Sequence, residues 1–309
     1  MVRTYPCSRG EAGSNGRVNK HKVALTMRSD GSHRDGGRQD SHHQDGRRQD
    51  GKRASFSIAR SYEKYYRSGV YDDRYPRPNP RVLKVLIRAL KRYGARAKVI
   101  DFGCGTGRYL LPLLRITDSE ASAYDISHEP LVRLREALKQ RDQTHRVTVI
   151  LGDEDKLKAH HGGAAKADVA MMIFGVLSHI ASRGERLRVL RMLGALVDPV
   201  NGRVVLSVPN RRRRFRALQK NGCADVVYQR SRVGGDCSFS YHLYAPDSLE
   251  RDLNEAGLVI ERMYVESVLP ESLITRYPAI GLVDSLLAHV LPTAWGYGIL
   301  VVARPGDRA

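Results

Sequence analysis

Long apolar runs are missing from this 309-residue sequence. No segment approaches 18 consecutive apolar residues, so a membrane-spanning helix is not expected. Cysteine is scarce too. Cys7, Cys104, Cys223 and Cys237 fit no zinc-ligand spacing, and Cys104 sits inside a glycine loop, a poor place for a disulfide. These spacings lead us to expect no metal site and a reducing, cytoplasmic setting. Acidic residues are few beside basic ones, 33 Asp and Glu against 52 Lys and Arg, which gives a formal net charge of +19. An excess of that size speaks to polyanionic partners or to solubility alone, and says nothing about fold.

Residues 1–53 lack a core. Their main apolar run is Val23-Ala24-Leu25, and Arg34-Asp35-Gly36-Gly37-Arg38-Gln39-Asp40 is echoed at Asp45-Gly46-Arg47-Arg48-Gln49-Asp50-Gly51. Such a segment buries too little surface to offset its ordering entropy, so a disordered, basic, low-complexity N-terminal tail is predicted. It has no apolar centre for a secretory signal, and its six acids do not suit a transit peptide. His33, His42 and His43 have no cysteine at ligand spacing. The tail holds 12 Lys and Arg against 6 Asp and Glu, leaving an excess of 13 positive charges on residues 54–309.

From Ala54 onward the pattern changes. An aromatic segment carrying Tyr62, Tyr65, Tyr66, Tyr71 and Tyr75 precedes a helix at about Arg81–Tyr93. Strands are then predicted at Lys98–Phe102, Ala121–Ile126, Arg146–Leu151, Ala167–Phe174 and Arg203–Val208. Helices fall between them at Leu110–Leu114, Glu129–Lys139 and Glu185–Leu196. One strand per helix is the signature of a doubly wound, mostly parallel α/β sheet. Beyond it we predict a helix at Pro246–Ala256, strands at Leu258–Val265 and Tyr297–Ala303, and an apolar helix at Ala279–Leu291. That last helix suits a sheet edge better than a membrane surface, because it has no basic residue and is broken by Asp284 and His289.

Gly103, Gly105 and Gly107 follow the first strand directly and open a helix. Glycines there permit tight turns and close approach of a ligand. A dinucleotide fingerprint needs a further glycine after two intervening residues, and those positions are Arg108 and Leu110. Asp101, just ahead of the loop, disfavours a pyrophosphate and favours an ammonium group. Asp125 ends the second strand, 18 residues after Gly107 and near the offset at which an acid meets ribose hydroxyls. Asp153 ends the third. Each acid alone reads equally as a helix cap. Three of them on successive strand ends beside a glycine loop point to a ligand site.

The segment Val99-Ile100-Asp101-Phe102-Gly103-Cys104-Gly105-Thr106-Gly107 resembles the first motif of class I S-adenosylmethionine-dependent methyltransferases. Tyr124-Asp125-Ile126-Ser127 resembles their second motif, and Gly152-Asp153 the adenine-side one. Phe174-Gly175-Val176-Leu177-Ser178-His179-Ile180 is similar to the segment that borders donor and acceptor. The resemblance implies a seven-stranded sheet of that type over 54–309, with a cap at 54–80 and insertions at 210–245 and 270–293 on the acceptor side or sheet edge. It also implies S-adenosylmethionine held by Asp101, Gly103, Cys104, Gly105, Gly107, Asp125, Ile126, Asp153 and Phe174.

The acceptor is less defined. His179 is the candidate general base, if the acceptor must lose a proton; otherwise it is a histidine packed at a strand-to-helix turn. Tyr62, Tyr66 and Tyr75 either close over the cofactor from the N-terminal segment or simply pack there. Arg211 and Arg213, in the run Asn210-Arg211-Arg212-Arg213-Arg214-Phe215-Arg216, together with Tyr241 are candidate substrate contacts. Tyr241-His242-Leu243-Tyr244 resembles a segment of wobble-uridine tRNA methyltransferases. The expectation therefore leans to tRNA or another anionic acceptor. The alternative is a small-molecule O- or N-acceptor such as a quinone, lipid or secondary metabolite, and the last a non-catalytic cofactor-binding scaffold.

Overall fold

A computed structural model describes residues 58–306, apart from 95, 164, 220–221 and 231–236. The tail at 1–53 lies outside the described residues.

The central sheet has seven strands in the order β3 (Val147–Leu151), β2 (Glu120–Asp125), β1 (Lys98–Phe102), β4 (Val169–Met172), β5 (Arg203–Pro209), β9 (Gly298–Pro305) and β8 (Leu258–Ser267). The first five run parallel, and β9 is antiparallel to both of its neighbours. Helices cover both faces, so the inner strands are apolar on alternate residues in both directions. Ile100, Ala170, Met172, Val204 and Leu206 pack with Leu187, Leu190 and Leu193 of α8 (Arg183–Leu196) and with Leu249 and Leu253 of α9 (Pro246–Glu255). Val99, Val169, Met171 and Val205 face the other way. They meet Val82 and Leu86 of α3 (Pro80–Leu90), Leu110 and Leu113 of α4 (Leu110–Ile116), and Leu131 and Leu134 of α5 (His128–Gln140). The doubly wound α/β reading therefore holds.

Boundaries move by a few residues. The fourth strand ends at Met172, because Phe174 takes a left-handed φ of 69° and Gly175 one of 78°. Several short elements were not foreseen, among them a helix and a hairpin. The short helix α6 (Glu154–His161) buries only Leu157 and His161, too little for an apolar period to show in the sequence. Within 210–245, β6 (Asp225–Arg230) and β7 (Cys237–His242) pair antiparallel as a separate two-stranded sheet.

Chain order turns outward from β1 to β2 on one side and to β4 on the other. The crevice outside the carboxyl ends of β1 and β4 is thus the switch point at which open α/β sheets take ligands. A helix over residues 58–67 (α1) and α2 (Val70–Arg74) lie over this edge. Among the described residues no helix is long and apolar enough to cross a membrane, and no cluster of metal-ligating side chains occurs. Cys104 and Cys237 are buried, whereas Cys223 is disulfide-bonded, so the cysteines lend the expected reducing setting no structural support.

Candidate active site

A cavity of about 1040 Å³ opens at the switch point. Its floor is the β1 loop. Gly103, Gly105 and Gly107 have φ of 83°, 54° and 80°, a region that side chains disfavour. The space a Cβ would take at each is already filled: by Val176 at Gly103, by the Tyr66 hydroxyl at Gly105, and by Leu134 at Gly107. These glycines therefore serve close packing of the loop as well as access for a ligand.

The second strand locks the loop in place. Gly103 and Cys104 donate to the carbonyl of Tyr124 at 2.7 and 3.0 Å. Asp125 accepts from the Gly105 N–H at Oδ2 and from the Ser127 N–H at Oδ1, each at 2.9 Å. Every carboxylate oxygen has a second acceptor position, so Asp125 can orient the loop and still take ribose hydroxyls. Burial raises its pKa against the lowering effect of these N–H groups. Asp101 is buried on the neighbouring strand, and burial first, then the charge of Asp125, push its carboxyl up to about 8. A cation beside it would reverse that. Asp153 also lines the cavity, and it caps α6 by accepting from the Lys156 N–H at 2.9 Å, so the cap reading applies as well.

Phe174 and His179 form the far wall. The Phe174 N–H donates to the Ser207 hydroxyl at 2.8 Å, which holds its left-handed turn. His179 ends the short helix α7 (Val176–His179). Its Nδ1 lies 3.1 Å from the carbonyl oxygen of Ser240 and its Nε2 lies 2.5 Å from the Tyr62 hydroxyl. A carbonyl only accepts, so the proton is assigned to Nδ1, leaving Nε2 to accept from Tyr62.

α1 roofs the cavity with Tyr62 and Tyr66, and it is tied down at α5. Ser127 makes no side-chain cap there; instead Glu63 accepts from the N–H groups of His128 and Glu129. A carboxylate at a helix N-terminus meets free donors and the positive end of the dipole. Arg133 of α5 reaches Asp72 of α2 at 2.8 Å, a second tie.

Asp101, Gly103, Cys104, Gly105, Asp125, Ile126, Asp153, Phe174 and His179 thus surround one cavity. Gly107 lies behind the loop. Arg211 bonds to Gln219 and Gly222, and Arg213 donates to the carbonyl of Trp295, so neither reaches the cavity. Tyr241 backs His179, with ring centroids 4.0 Å apart, and does not line the wall.

Sequence reasoning missed Arg108. It lines the cavity with its guanidinium 4.1 Å from the Phe174 ring centroid, and it pairs with Glu271 at 3.5 Å. Its Nε and Nη1 are buried without a partner. Its position directly after the glycine loop was the available signal. A buried cation with two free donors is suited to an anionic group.

The sheet order, the glycine loop and the strand-end acids together define a class I methyltransferase architecture. A family model described as "Methyltransferase domain" matches residues 74–262, more than half of the chain, and the chain belongs to that family. It is an S-adenosylmethionine-dependent methyltransferase. Among solved structures it is similar to the CcbJ methyltransferase from Streptomyces caelestis, with TM-score 0.54 and 18% identity over 75% of this chain and 91% of that one. A second is an S-adenosylmethionine-dependent methyltransferase from Clostridium acetobutylicum, with TM-score 0.54 and 12% identity over 80% and 99% of the two chains. A third is the Burkholderia thailandensis 1,6-didemethyltoxoflavin-N1-methyltransferase, solved with that compound and S-adenosylhomocysteine bound. It gives TM-score 0.53 and 19% identity over 88% and 93%. At these identities the likeness is one of fold. No curated protein matches the chain.

Proposed function

We propose that the acceptor is a small molecule carrying a protic oxygen or nitrogen, rather than RNA. The observation that carries this reading is the roof: α1 is fastened to α5 through Glu63 and closes an aromatic chamber over the cofactor loop. Tyr62, Tyr66, Tyr71 and Phe174 line it, and Phe239 stands behind Tyr62 with ring centroids 5.1 Å apart. Such walls suit a flat, largely apolar ligand. The Arg211 and Arg213 side chains, on which an RNA acceptor would depend, are engaged outside the chamber. The neighbour solved with 1,6-didemethyltoxoflavin acts on a small molecule, which agrees with this reading.

The residues around the loop fit the cofactor. Asp101 would hold its ammonium group, the buried Nε and Nη1 of Arg108 its carboxylate, and Asp125 its ribose hydroxyls. The cofactor supplies a sulfonium methyl, and the protein supplies alignment for in-line displacement and exclusion of water. His179 is the general base. Its Nδ1–H is anchored on the Ser240 carbonyl, and its Nε2 takes the acceptor proton directly or through the Tyr62 hydroxyl.

The test is incubation of the purified chain with labelled methyl donor and total cell extract, followed by separation into RNA, protein and small molecules. Label in the small-molecule fraction is expected. Label confined to RNA would overturn the acceptor assignment while leaving the methyltransferase reading intact.

A further inference from the structure

The C-terminal excursion after β8 carries a surface that the active site does not use. In α11 (Pro278–Val290), Gly281, Asp284 and Ala288 are buried on one side. The opposite side presents Leu282, Val283, Leu286, Leu287 and Val290, one continuous helical face. Leu282 is 66% exposed, Leu286 64% and Val290 78%. Trp295, just beyond the helix, is 60% exposed, and Tyr277, just before it, is also exposed. Single exposed apolar residues are ordinary, but a contiguous face of this kind marks a docking surface.

In the sequence this helix lacks basic residues and is interrupted by an acid, which argues against a membrane surface. The fold removes both objections. Asp284 is 2% exposed and turned inward, where it accepts from the N–H groups of Val268 and Leu269 at 2.9 and 2.7 Å. Basic residues arrive from neighbouring elements. Arg81 of α3 lies against His289 of α11 at 3.0 Å, and Lys84 and Arg88 follow on the same face of α3, both exposed. Exposed Arg276 precedes α11, and exposed Arg213 binds the Trp295 carbonyl at 2.9 Å. Across residues 77–93 and 271–297 the only acids are Glu271 and Asp284, and both are buried.

We propose that α11 and Trp295 dock this protein on an anionic lipid bilayer, with Leu282, Leu286 and Val290 entering the boundary between headgroups and acyl chains. An apolar face rimmed by Lys and Arg, with Trp and Tyr at its ends, is the chemistry of an interfacial helix. The same rim repels a second copy of the chain, which carries the same positive field. The docking face is linked to the cavity, because Glu271 of α10 (Glu271–Ile274), the short helix just before α11, pairs with Arg108 in the cavity wall.

The chain has a single tryptophan, so Trp295 reports on this surface alone. The test titrates the full chain with vesicles of pure phosphatidylcholine, and with vesicles containing roughly one-third phosphatidylglycerol. The expected result is a blue shift of Trp295 emission, quenched by brominated acyl chains, on the anionic vesicles and not on the neutral ones. Leu282→Ser with Leu286→Ser should weaken binding at least about tenfold. Lys84→Ser with Arg88→Ser should weaken it roughly thirtyfold. Absence of any shift on anionic vesicles would overturn the proposal, as would unchanged binding of the leucine variant. So would sedimentation showing a dimer that this variant dissociates while no vesicle is bound, because the face would then join two copies.

Discussion

At the residue scale, the acids do most to define the site. Asp101 ionises in an unfolded chain near the usual carboxylate value of about 3.9 but in the fold only at about 8. Between those values the folded state holds the extra proton, so this residue lowers stability as pH rises from about 4 to about 8. Asp101→Asn should therefore raise the melting temperature at pH 8 and leave it little changed at pH 4. On the proposed assignment of Asp101 to the cofactor ammonium, the same change should weaken cofactor binding. A melting temperature that fell at pH 8 would show that the buried carboxylate is stabilised by something other than a ligand. His179 calls for kinetics. His179→Ala should lower kcat by about 100-fold or more with cofactor affinity nearly unchanged, the loss expected for a general base. Tyr62→Phe should cost about tenfold, the worth of one hydrogen bond to the base. The strand-end acids were legible in the sequence because a strand followed by glycines fixes where its last residue points. Arg108 was visible yet unread, and the contact between Tyr62 and His179 spans 117 positions that local spacing does not connect.

At the element scale, the roof is the least conventional feature. α1 packs Tyr62, Tyr65 and Tyr66 into an aromatic cluster with Tyr71, Cys237 and Phe239, and its Glu63 serves α5 as a borrowed cap. Glu63→Ala removes that cap, which is worth about 1 kcal/mol. The global melting temperature should fall by only a few degrees, about the amount expected for a chain of this size. Limited proteolysis within 58–67 should quicken several-fold, and acceptor KM should rise. Unaltered proteolysis would mean that aromatic packing alone holds the roof. The β6–β7 hairpin and α6 escaped sequence reading for opposite reasons. The hairpin alternates Cys237, Phe239 and Tyr241 inward over only six residues, inside what reads as an arginine-rich loop. α6 is almost entirely polar. The alternating β/α core was easy to read because its inner strands are buried on both faces and so are mostly apolar, β4 wholly so.

At the scale of the whole molecule, charge and shape serve different ends. The excess of 13 positive charges on residues 54–309 suggested RNA, and the arginines most visible in the sequence proved to stand outside the cavity. Part of that charge surrounds the exposed face of α11 instead. The reversal between β1 and β4 brings Asp101 of β1, Asp125 of β2, Asp153 before α6 and His179 of α7 to one edge, where the cofactor is proposed to bind. Calorimetric titration of the purified chain with S-adenosylmethionine, beside the Asp125→Ala variant, tests that most directly. One site per chain is expected, with affinity lost by about ten- to a hundredfold in the variant, as for a charged group that held hydroxyls. No binding by the natural chain, or equal affinity in the variant, would contradict it.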